Sequence, residues 1–289
     1  MSKKIIQFLQ WRLTNITEEL ETIKKQGFDS IQLSPLQGTK DPGEAWWLLY
    51  QPTNFHVGNS QIGNKDDLIT LCTKAHELGL EVYVDIVLRH TANSVSDNLK
   101  PYENISDEIL PEYFADPIQL DDEEHRWKYT HRCTGLPMLN YYDPRVQDLH
   151  INYLQELVDC GVDGFRLDQY KHYALPCEDC NYITRIMEKF KDKYWYGEII
   201  FTDTFTLDLH AQYMDVLTDG FPTDKSKMVT FFESHDTYHT FGYTKRMTDD
   251  MRLKEWNNLV SNCNYKSLFF VRPNDDLWKS DKIREINNR

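Results

Sequence analysis

The sequence predicts an α/β fold in which parallel strands alternate with helices and close into a (β/α)8 barrel. Short runs rich in β-branched and aromatic residues alternate with segments whose apolar residues recur at helical spacing. Repeated strand–helix units imply a parallel sheet, and the number of units in 289 residues indicates a barrel. A polar stretch at residues 91–142 interrupts the alternation and indicates a small irregular insertion after the third strand.

The first three strands follow from local patterns. An alternating or continuous apolar run predicts a strand, whereas apolar residues three and four positions apart predict one face of a helix. A polar cap precedes a helix and a glycine often ends it. The expected elements are a strand at 5–10, a helix capped near Asn15 with Ile16, Leu20 and Ile23 on one face, a strand at 30–33, a helix from the cap Asn64 to Gly79, and a strand at 81–88.

The alternation resumes after the insertion. Asp143 and Pro144 open a helix that Gly161 closes, and a buried strand follows at 164–167. The 37 residues between Glu198 and Asp236 leave little room for a helix, a strand and another helix, so we expect a compressed barrel there. The remaining expected elements are a helix at 181–193 and strands at 194–197, 229–232 and 267–271.

Charge and hydropathy argue against two classes of partner. The formal net charge is −14, and no basic run is longer than two residues. Nucleic acid is not an expected partner, because phosphate binding needs clustered lysine and arginine. No apolar stretch approaches the ~20 residues of a membrane span, and no amino-terminal segment has signal-peptide length. We therefore expect a cytoplasmic protein with no membrane partner, and the sequence leaves its oligomeric state open.

The cysteines show no disulfide framework. Cys177 and Cys180 have the spacing of half a zinc site, but no second pair has matching spacing, so free thiols are expected. The six cysteines are Cys72, Cys133, Cys160, Cys177, Cys180 and Cys263.

Charged residues that could take part in catalysis lie where predicted strands end. Arg166 and Asp168 share one face of a strand, because side chains alternate along it. A cation beside an anion keeps the anion ionised, which suits a nucleophile. An Arg-x-Asp pair alone is more often a structural salt bridge. Three other apolar runs end in similar chemistry, namely 85–90, 194–199 and 231–236.

These four segments, in this order, resemble the four sequence regions of the α-amylase family of glycoside hydrolases. The family patterns are Asp-x-x-x-Asn-His, Gly-Phe-Arg-x-Asp-Ala-x-Lys-His, Gly-Glu and Phe-x-x-Asn-His-Asp. Here they are 85–90 with Arg89 for Asn, 164–172 with Gln169 for Ala, Gly197-Glu198, and 231–236 with Ser234 for Asn. Residues 46–52 resemble the family's sugar-binding segment, and 135–140 its Leu-Pro-Asp-Leu-like region.

The resemblance implies a retaining enzyme that acts on α-glucans. Asp168 would be the nucleophile, Glu198 the general acid/base, and Asp236 would orient the sugar and stabilise the transition state. Any one of these acids is as readily a salt bridge or a helix cap, but the ordered trio argues against that interpretation. The expected substrate-binding residues are Trp47, Tyr50, Gln51, His90, Arg166, Lys171, His172 and His235.

The Lys171-His172 pair is typical of relatives that cut α-1,4-glucosidic bonds of starch, glycogen or maltooligosaccharides. One alternative is an exo-acting α-glucosidase or a glucan transglycosylase with the same chemistry. Another is a catalytically inactive, amylase-like carbohydrate-binding protein. These motifs do not determine whether the enzyme acts endo or exo or how long its substrate is. They also do not determine whether it hydrolyses the bond or transfers the sugar to another glucan.

The resemblance also implies a domain organisation and an altered metal site. The barrel would comprise 1–90 and 143–289, with an inserted domain at 91–142, and the family's C-terminal β-sandwich domain is expected to be absent. No cofactor is expected, because Arg89 and Met138 stand at ligand positions of the family's calcium site. Calcium prefers several oxygen ligands, and neither side chain supplies one. We expect the Arg89 guanidinium to occupy that place and bond the His172 carbonyl; the alternative is that it points to solvent.

Overall fold

The centre of the protein is a closed barrel of eight parallel strands. A computed structural model describes residues 3–40, 45–121, 125–261 and 265–289. Each strand pairs with the next one along the chain, and the last pairs with the first. The strands are β1 (Lys4–Phe8), β2 (Ser30–Leu33), β3 (Glu81–Ile86), β4 (Gly164–Leu167), β5 (Tyr194–Glu198), β6 (Asp215–Thr218), β7 (Met228–Phe231) and β8 (Lys266–Val271). The predicted (β/α)8 barrel is confirmed.

The helices surround the barrel, except for one in the insertion. They are α1 (Leu13–Lys25), α2 (Lys65–Glu77), α3 (Arg126–His131, in the insertion), α4 (Pro144–Asp159), α5 (Tyr182–Lys189), α6 (Thr204–Ala211), α7 (Asp249–Ser261) and α8 (Asp281–Asn287). None of the helices in the described ranges is long and apolar enough to cross a membrane.

Helix starts follow the predicted caps with one exception. Asn64 caps α2 in a reciprocal capping box with Asp67, and the Asp143 side chain accepts the Arg145 amide at the start of α4. The predicted start of α1 near Asn15 is wrong, because the helix begins at Leu13 without a side-chain cap. The Leu13 amide instead donates to the Ile62 carbonyl at 2.8 Å. A tertiary contact satisfies this helix end, and no local motif announces it.

The compressed part of the barrel is present where it was predicted. Only the eight-residue α6 lies between β5 and β6. Between β6 and β7, all of whose connecting residues are described, the chain forms a single 3₁₀ turn at Lys225–Lys227 and no α-helix. The short strand β6 itself was not identified from the sequence.

The barrel interior has an apolar floor and a charged upper layer. Inward side chains form a separate apolar cluster of Ile5, Tyr83, Tyr196, Leu217, Val229, Phe231 and Leu268. Asp85 lies two residues beyond Tyr83 on the same face of β3, and the strand register pairs it with Arg166 of β4. Arg166 pairs in turn with Tyr196 of β5. Strand alternation therefore directs these charged groups toward the carboxyl end of the barrel.

The insertion lies between β3 and α4 and packs against the barrel rim. Its two ends are held together, because the Leu139 amide donates to the Arg89 carbonyl at 2.8 Å and the Thr91 amide to the Pro137 carbonyl at 3.0 Å. Apart from α3, the described part of the insertion contains a 3₁₀ helix at Pro111–Tyr113, turns and isolated bridges.

Candidate active site

The three predicted catalytic carboxylates meet at the carboxyl end of the barrel. Asp168 follows β4, Glu198 ends β5, and Asp236 begins a π-helical turn after β7. Parallel strands present their carboxyl ends on one rim, so these distant residues are brought together by the barrel itself. All three line one cavity of about 340 Å³. Its size lies within the range of small-molecule sites, ~300–1,000 Å³.

One buried guanidinium joins three carboxylates beneath this cavity. Arg166 is 1% exposed. Its Nη1 lies 2.7 Å from Asp85 Oδ1 and 2.9 Å from Asp168 Oδ1, and its Nη2 lies 3.0 Å from Glu198 Oε1. Glu198 Oε2 also accepts the backbone amide of Gln169 at 3.0 Å. Arg166 thus fixes the relative positions of the predicted nucleophile and the predicted acid.

The carboxylates share too little positive charge for all of them to ionise readily. Burial raises the pKa of Asp168 to about 8 and that of Asp85 to about 6, although Arg166 lowers both. Burial and the Glu198 charge raise the pKa of Asp236 well above its usual range, and Asp236 shares a hydrogen bond with Glu198. Arg166 lowers the pKa of Asp168, as expected, but burial and the charges of Glu198 and Asp85 outweigh that effect. The guanidinium is divided among three carboxylates, and the cluster retains protons near neutrality.

Aromatic and histidine side chains form the opposite wall. The Tyr50 hydroxyl donates to Asp85 Oδ2 at 2.8 Å, and its ring stacks on His235 with centroids 5.2 Å apart. His90 Nε2 lies 2.9 Å from the Tyr50 carbonyl, and His235 Nδ1 lies 3.1 Å from Gln7 Nε2. Burial lowers the pKa of His90 to about 4, so this ring is neutral near neutrality. The wall presents flat rings and neutral polar groups to the cavity.

Most predicted substrate-binding residues line this cavity, and two do not. The predicted residues in the lining are Trp47, Tyr50, Gln51, His90, Asp168, Lys171, Glu198, His235 and Asp236. Arg166 lies beneath the lining and acts through the carboxylates it contacts. His172 is buried behind it, where its ring stacks on Tyr129 at 4.9 Å between centroids. Lys171 Nζ reaches into the rim and donates to the Ile200 carbonyl at 3.2 Å.

Several lining residues escaped the sequence analysis. They are Leu136 and Gln169, which lie in motif segments but were given no role, and Ile200, Phe201 and Phe241, which lie outside those segments; Trp46, in the sugar-binding segment, also lines the cavity. Phe201 and Phe241 are 50% and 48% exposed, and their rings meet edge to face with centroids 4.9 Å apart. Phe201 has a φ of 54°, and its amide donates to Asp219 Oδ1 at 3.0 Å. Its position three residues after Glu198 was the sequence feature that could have identified it as a lining residue.

Arg89 is buried at the junction between the insertion and the barrel. Its Nε donates to the His172 carbonyl at 3.2 Å, which is the contact expected from the sequence. Its Nη2 donates to the carbonyls of Tyr129 and Arg132, at 3.1 and 2.7 Å. The acceptor oxygens of this junction therefore suit a guanidinium. The junction does not suit a calcium ion, which the positive charge of Arg89 would repel.

The cysteines described by the structure are free thiols, as expected. They are Cys72, Cys133, Cys160, Cys177 and Cys180, and Cys263 lies outside the described residues. Within the described ranges, no group of three or more histidine, cysteine, aspartate or glutamate side chains has an arrangement that would hold a metal ion.

The chain is similar in sequence to bacterial proteins named as α-amylases. It is 30% identical, over an alignment 330 positions long, to an α-amylase of Clostridium acetobutylicum, covering 98% of this chain and 42% of that protein. It is 24% identical to an α-amylase of Butyrivibrio fibrisolvens, covering 94% of this chain and 35% of that protein. The chain therefore spans less than half the length of these two relatives.

The fold also matches solved structures. An α-amylase of Geobacillus thermoleovorans in complex with acarbose superposes with a TM-score of 0.80 at 17% identity, covering 99% of this chain and 77% of that one. An α-amylase I mutant of Eisenia fetida with maltohexaose gives 0.75 at 18% identity, covering 95% and 68%. The family model of the α-amylase catalytic domain matches residues 12–253. With this match over most of its length, the chain belongs to the α-amylase family of glycoside hydrolases.

Proposed function

We propose that this protein hydrolyses α-1,4-glucosidic bonds of starch- or glycogen-type glucans or maltooligosaccharides, with retention of configuration. The observation that carries the proposal is the single guanidinium of Arg166, which bonds both Asp168 and Glu198 at 2.9 and 3.0 Å. A bridge of one side chain keeps the two carboxyl groups close. Retaining enzymes place them ~5–5.5 Å apart, whereas inverting enzymes need room for a water between them.

In the first step, Asp168 attacks the anomeric carbon of the bound sugar. Glu198 gives its proton to the glycosidic oxygen as the bond from that oxygen to the anomeric carbon breaks. The product is an ester between the sugar and Asp168, together with a free glucan end. The hydrogen bond that Asp236 shares with Glu198 keeps a proton at the position from which it is delivered.

In the second step, Glu198 accepts a proton from a water molecule. The water oxygen bonds the anomeric carbon, and the ester bond to Asp168 breaks with its electron pair returning to the carboxylate. Two displacements at the same carbon restore its original configuration. Arg166 stabilises the carboxylate that leaves in this step, because its Nη1 already bonds Asp168 Oδ1.

The character of the cavity supports a neutral sugar as the ligand. The lining combines the aromatic side chains of Trp46, Trp47, Tyr50, Phe201 and Phe241 with histidines and carboxylates. Flat apolar rings pack on sugar faces while polar groups bond hydroxyls. Similar structures hold acarbose in the Geobacillus protein and maltohexaose in the Eisenia protein. An acidic chain with a net charge of −14 poses no obstacle to an uncharged substrate.

The inferred bond type is supported by Lys171 more than by His172. Lys171 lines the cavity, whereas His172 lies behind it. The α-1,4 assignment rests on the resemblance of this pair to the family motif, and the presence of Lys171 in the cavity lining supports it.

The test is to incubate the protein with maltoheptaose and follow the new reducing ends by proton NMR during the first minutes. Retention predicts that the α-anomer appears first, and isomaltoheptaose, with α-1,6 bonds, serves as the matched control for bond type. Initial release of the β-anomer would overturn the mechanism. Chromatography of the same samples distinguishes the alternatives: glucose alone indicates exo action, products longer than the substrate indicate transfer, and no products indicate a carbohydrate-binding protein.

A further inference from the structure

The junction between the insertion and the barrel is built on two arginines that reach in opposite directions. Arg89, from the barrel side, is completely buried and bonds the carbonyls of Tyr129 and Arg132 in the insertion. Arg126, from α3 of the insertion, donates to the carbonyls of Lys171 and Tyr173 on the barrel side. It also forms a two-point contact with the Glu178 carboxylate at 2.8 and 2.9 Å.

Together the two guanidiniums cover three consecutive carbonyls of the barrel. Arg126 bonds those of Lys171 and Tyr173, and Arg89 bonds that of His172 between them. Lys171 and His172 lie in the 3₁₀ turn at Tyr170–His172, which follows Asp168, and Tyr173 comes directly after that turn. Buried carbonyls need donors, and an arginine offers five N–H groups in a rigid plane. The partners of Arg89 among the described residues are neutral, so its charge is balanced by carbonyl dipoles rather than by a carboxylate.

A chain of hydrogen bonds leads from this junction to the catalytic acid. Arg89 Nη1 donates to the Thr134 hydroxyl at 3.3 Å, and that hydroxyl donates to Gln169 Oε1 at 2.9 Å. Gln169 has a φ of 52°, and in this left-handed conformation its amide points to Glu198 Oε2 at 3.0 Å. A non-glycine residue in this region needs support from its surroundings. Thr134 supplies such support from the insertion.

We propose that Arg89 and Arg126 form a guanidinium clamp that docks the insertion on the barrel without a metal ion and positions Glu198 through Thr134 and Gln169. The clamp makes two separable contributions. The arginines hold the two parts of the molecule together, and the Thr134–Gln169 contact orients an amide against the acid. Neither arginine lines the cavity, so both are positioning residues.

The docking contribution is tested by stability. We expect Arg89→Ala to lower the Tm by roughly 10 °C, because it removes the guanidinium that donates to the carbonyls of His172, Tyr129 and Arg132. Arg126→Ala, at a half-buried position, should lower the Tm less, and limited proteolysis should cut within residues 91–142 faster than in the wild type. Arg185→Ala is the matched control, because Arg185 bonds Gln147 and Asp148 of α4 and is outside the clamp.

Chemical rescue tests whether the guanidinium itself is needed. Guanidinium ion at millimolar concentration should raise the Tm of Arg89→Ala and leave that of Arg185→Ala unchanged. If Arg89→Ala does not fold, the Tm and proteolysis of Arg126→Ala decide whether the clamp exists. An Arg126→Ala protein with wild-type Tm and wild-type proteolysis would overturn the clamp.

The positioning contribution is tested by Thr134→Val, which keeps the shape and removes the hydroxyl. We expect kcat on maltoheptaose to fall about tenfold or more with KM and Tm nearly unchanged, since small misplacements of catalytic groups cost up to ~10²-fold. Unchanged kcat would refute the link to Glu198. This kinetic arm rests on the proposed hydrolase function. If the wild type releases no product, that function fails, while the Tm and proteolysis arms still decide the clamp.

Discussion

Two fully buried arginines, Arg166 under the cavity and Arg89 at the junction, solve the same physical problem in different ways. Burial alone would lower the pKa of Arg166, but the carboxylates of Asp85, Glu198 and Asp168 raise it well above its usual range. Arg89 is held by carbonyls and a hydroxyl, and burial lowers its pKa. The charge of Arg166 is therefore balanced mainly by carboxylate charges, whereas the charge of Arg89 is balanced by the dipoles of carbonyl and hydroxyl groups.

The difference explains why one arginine belongs to the chemistry and the other to the architecture. A guanidinium shared among carboxylates sets their protonation and their spacing, so a change there alters reactivity first. A guanidinium among carbonyls shares its charge with no carboxylate and instead donates to backbone groups, so a change there alters folding first.

The largest expected effect lies at the carboxylates around Arg166. Asp168→Asn and Glu198→Gln should each lower kcat by at least ~10³-fold, because one removes the nucleophile and the other the proton donor. Turnover of maltoheptaose and the far-UV circular dichroism spectrum are the measurements. Asp148→Asn, at an exposed carboxylate that pairs with Arg185, is the control. Near wild-type turnover by a folded Asp168→Asn protein would defeat the assignment.

Replacing Arg166 itself should produce the next largest effect. Arg166→Lys keeps one charge but cannot bridge Asp85, Asp168 and Glu198 at once, so kcat/KM should fall about 10²-fold. Arg89→Lys, by contrast, should act mainly on the Tm. Measuring both quantities for both variants sharpens the comparison. If Arg166→Lys retains full kcat/KM and loses only stability, the distinction between the two arginines is wrong.

The pH dependence of kcat/KM should report the protonation of the carboxylates around Arg166. A raised pKa means that Asp168 is protonated below about 8 and Asp85 below about 6. Because the nucleophile must be ionised, kcat/KM should fall as pH decreases, with the midpoint of the acidic limb between these values. Initial rates on maltoheptaose from pH 4 to 10 provide the test. An acidic midpoint near the ordinary pKa of an aspartate would contradict the charge balance inferred for this cluster.

The stability of the folded protein should change with pH in the direction opposite to kcat/KM, and should decrease as the pH rises. A carboxyl whose folded-state pKa is raised binds more protons in the folded than in the unfolded chain. Its stabilising contribution is complete below the ordinary value of 3.8 and is lost as pH rises through about 8. The Tm difference between Asp168→Asn and the wild type should therefore grow in favour of the variant from pH 5 to 8. A pH-independent difference would show that the Asp168 pKa is not raised by folding.

The smallest expected effect concerns metal removal. EDTA should change neither Tm nor turnover, because Arg89 occupies the junction and contributes donors instead of ligands. Thermal scans and maltoheptaose assays before and after dialysis against EDTA are sufficient. A loss of Tm that calcium restores would mean that a metal, and not the guanidinium clamp, holds the insertion.

Local pattern was enough to predict the positions of Asp168, Glu198 and Asp236 at strand ends. Apolar runs and the polar residues that follow them are properties of neighbouring positions, and a parallel barrel collects its strand ends on one rim. The same reasoning missed β6, which has four residues and lies in the compressed segment. It also misjudged His172, because adjacency to Lys171 in the sequence does not decide which side chain faces the cavity.

By itself, the sequence determined the family, the barrel and the replacement at Arg89, since each depends on residue type and order. Tertiary structure decided how Arg166 divides its charge among three carboxylates, because that follows from the β3–β4–β5 register. It also decided that Phe201 and Gln169 adopt left-handed conformations at the cavity, and that Arg126 reaches carbonyls 45 and 47 positions away. Such contacts depend on distances between remote segments, and these distances exist only after the barrel closes.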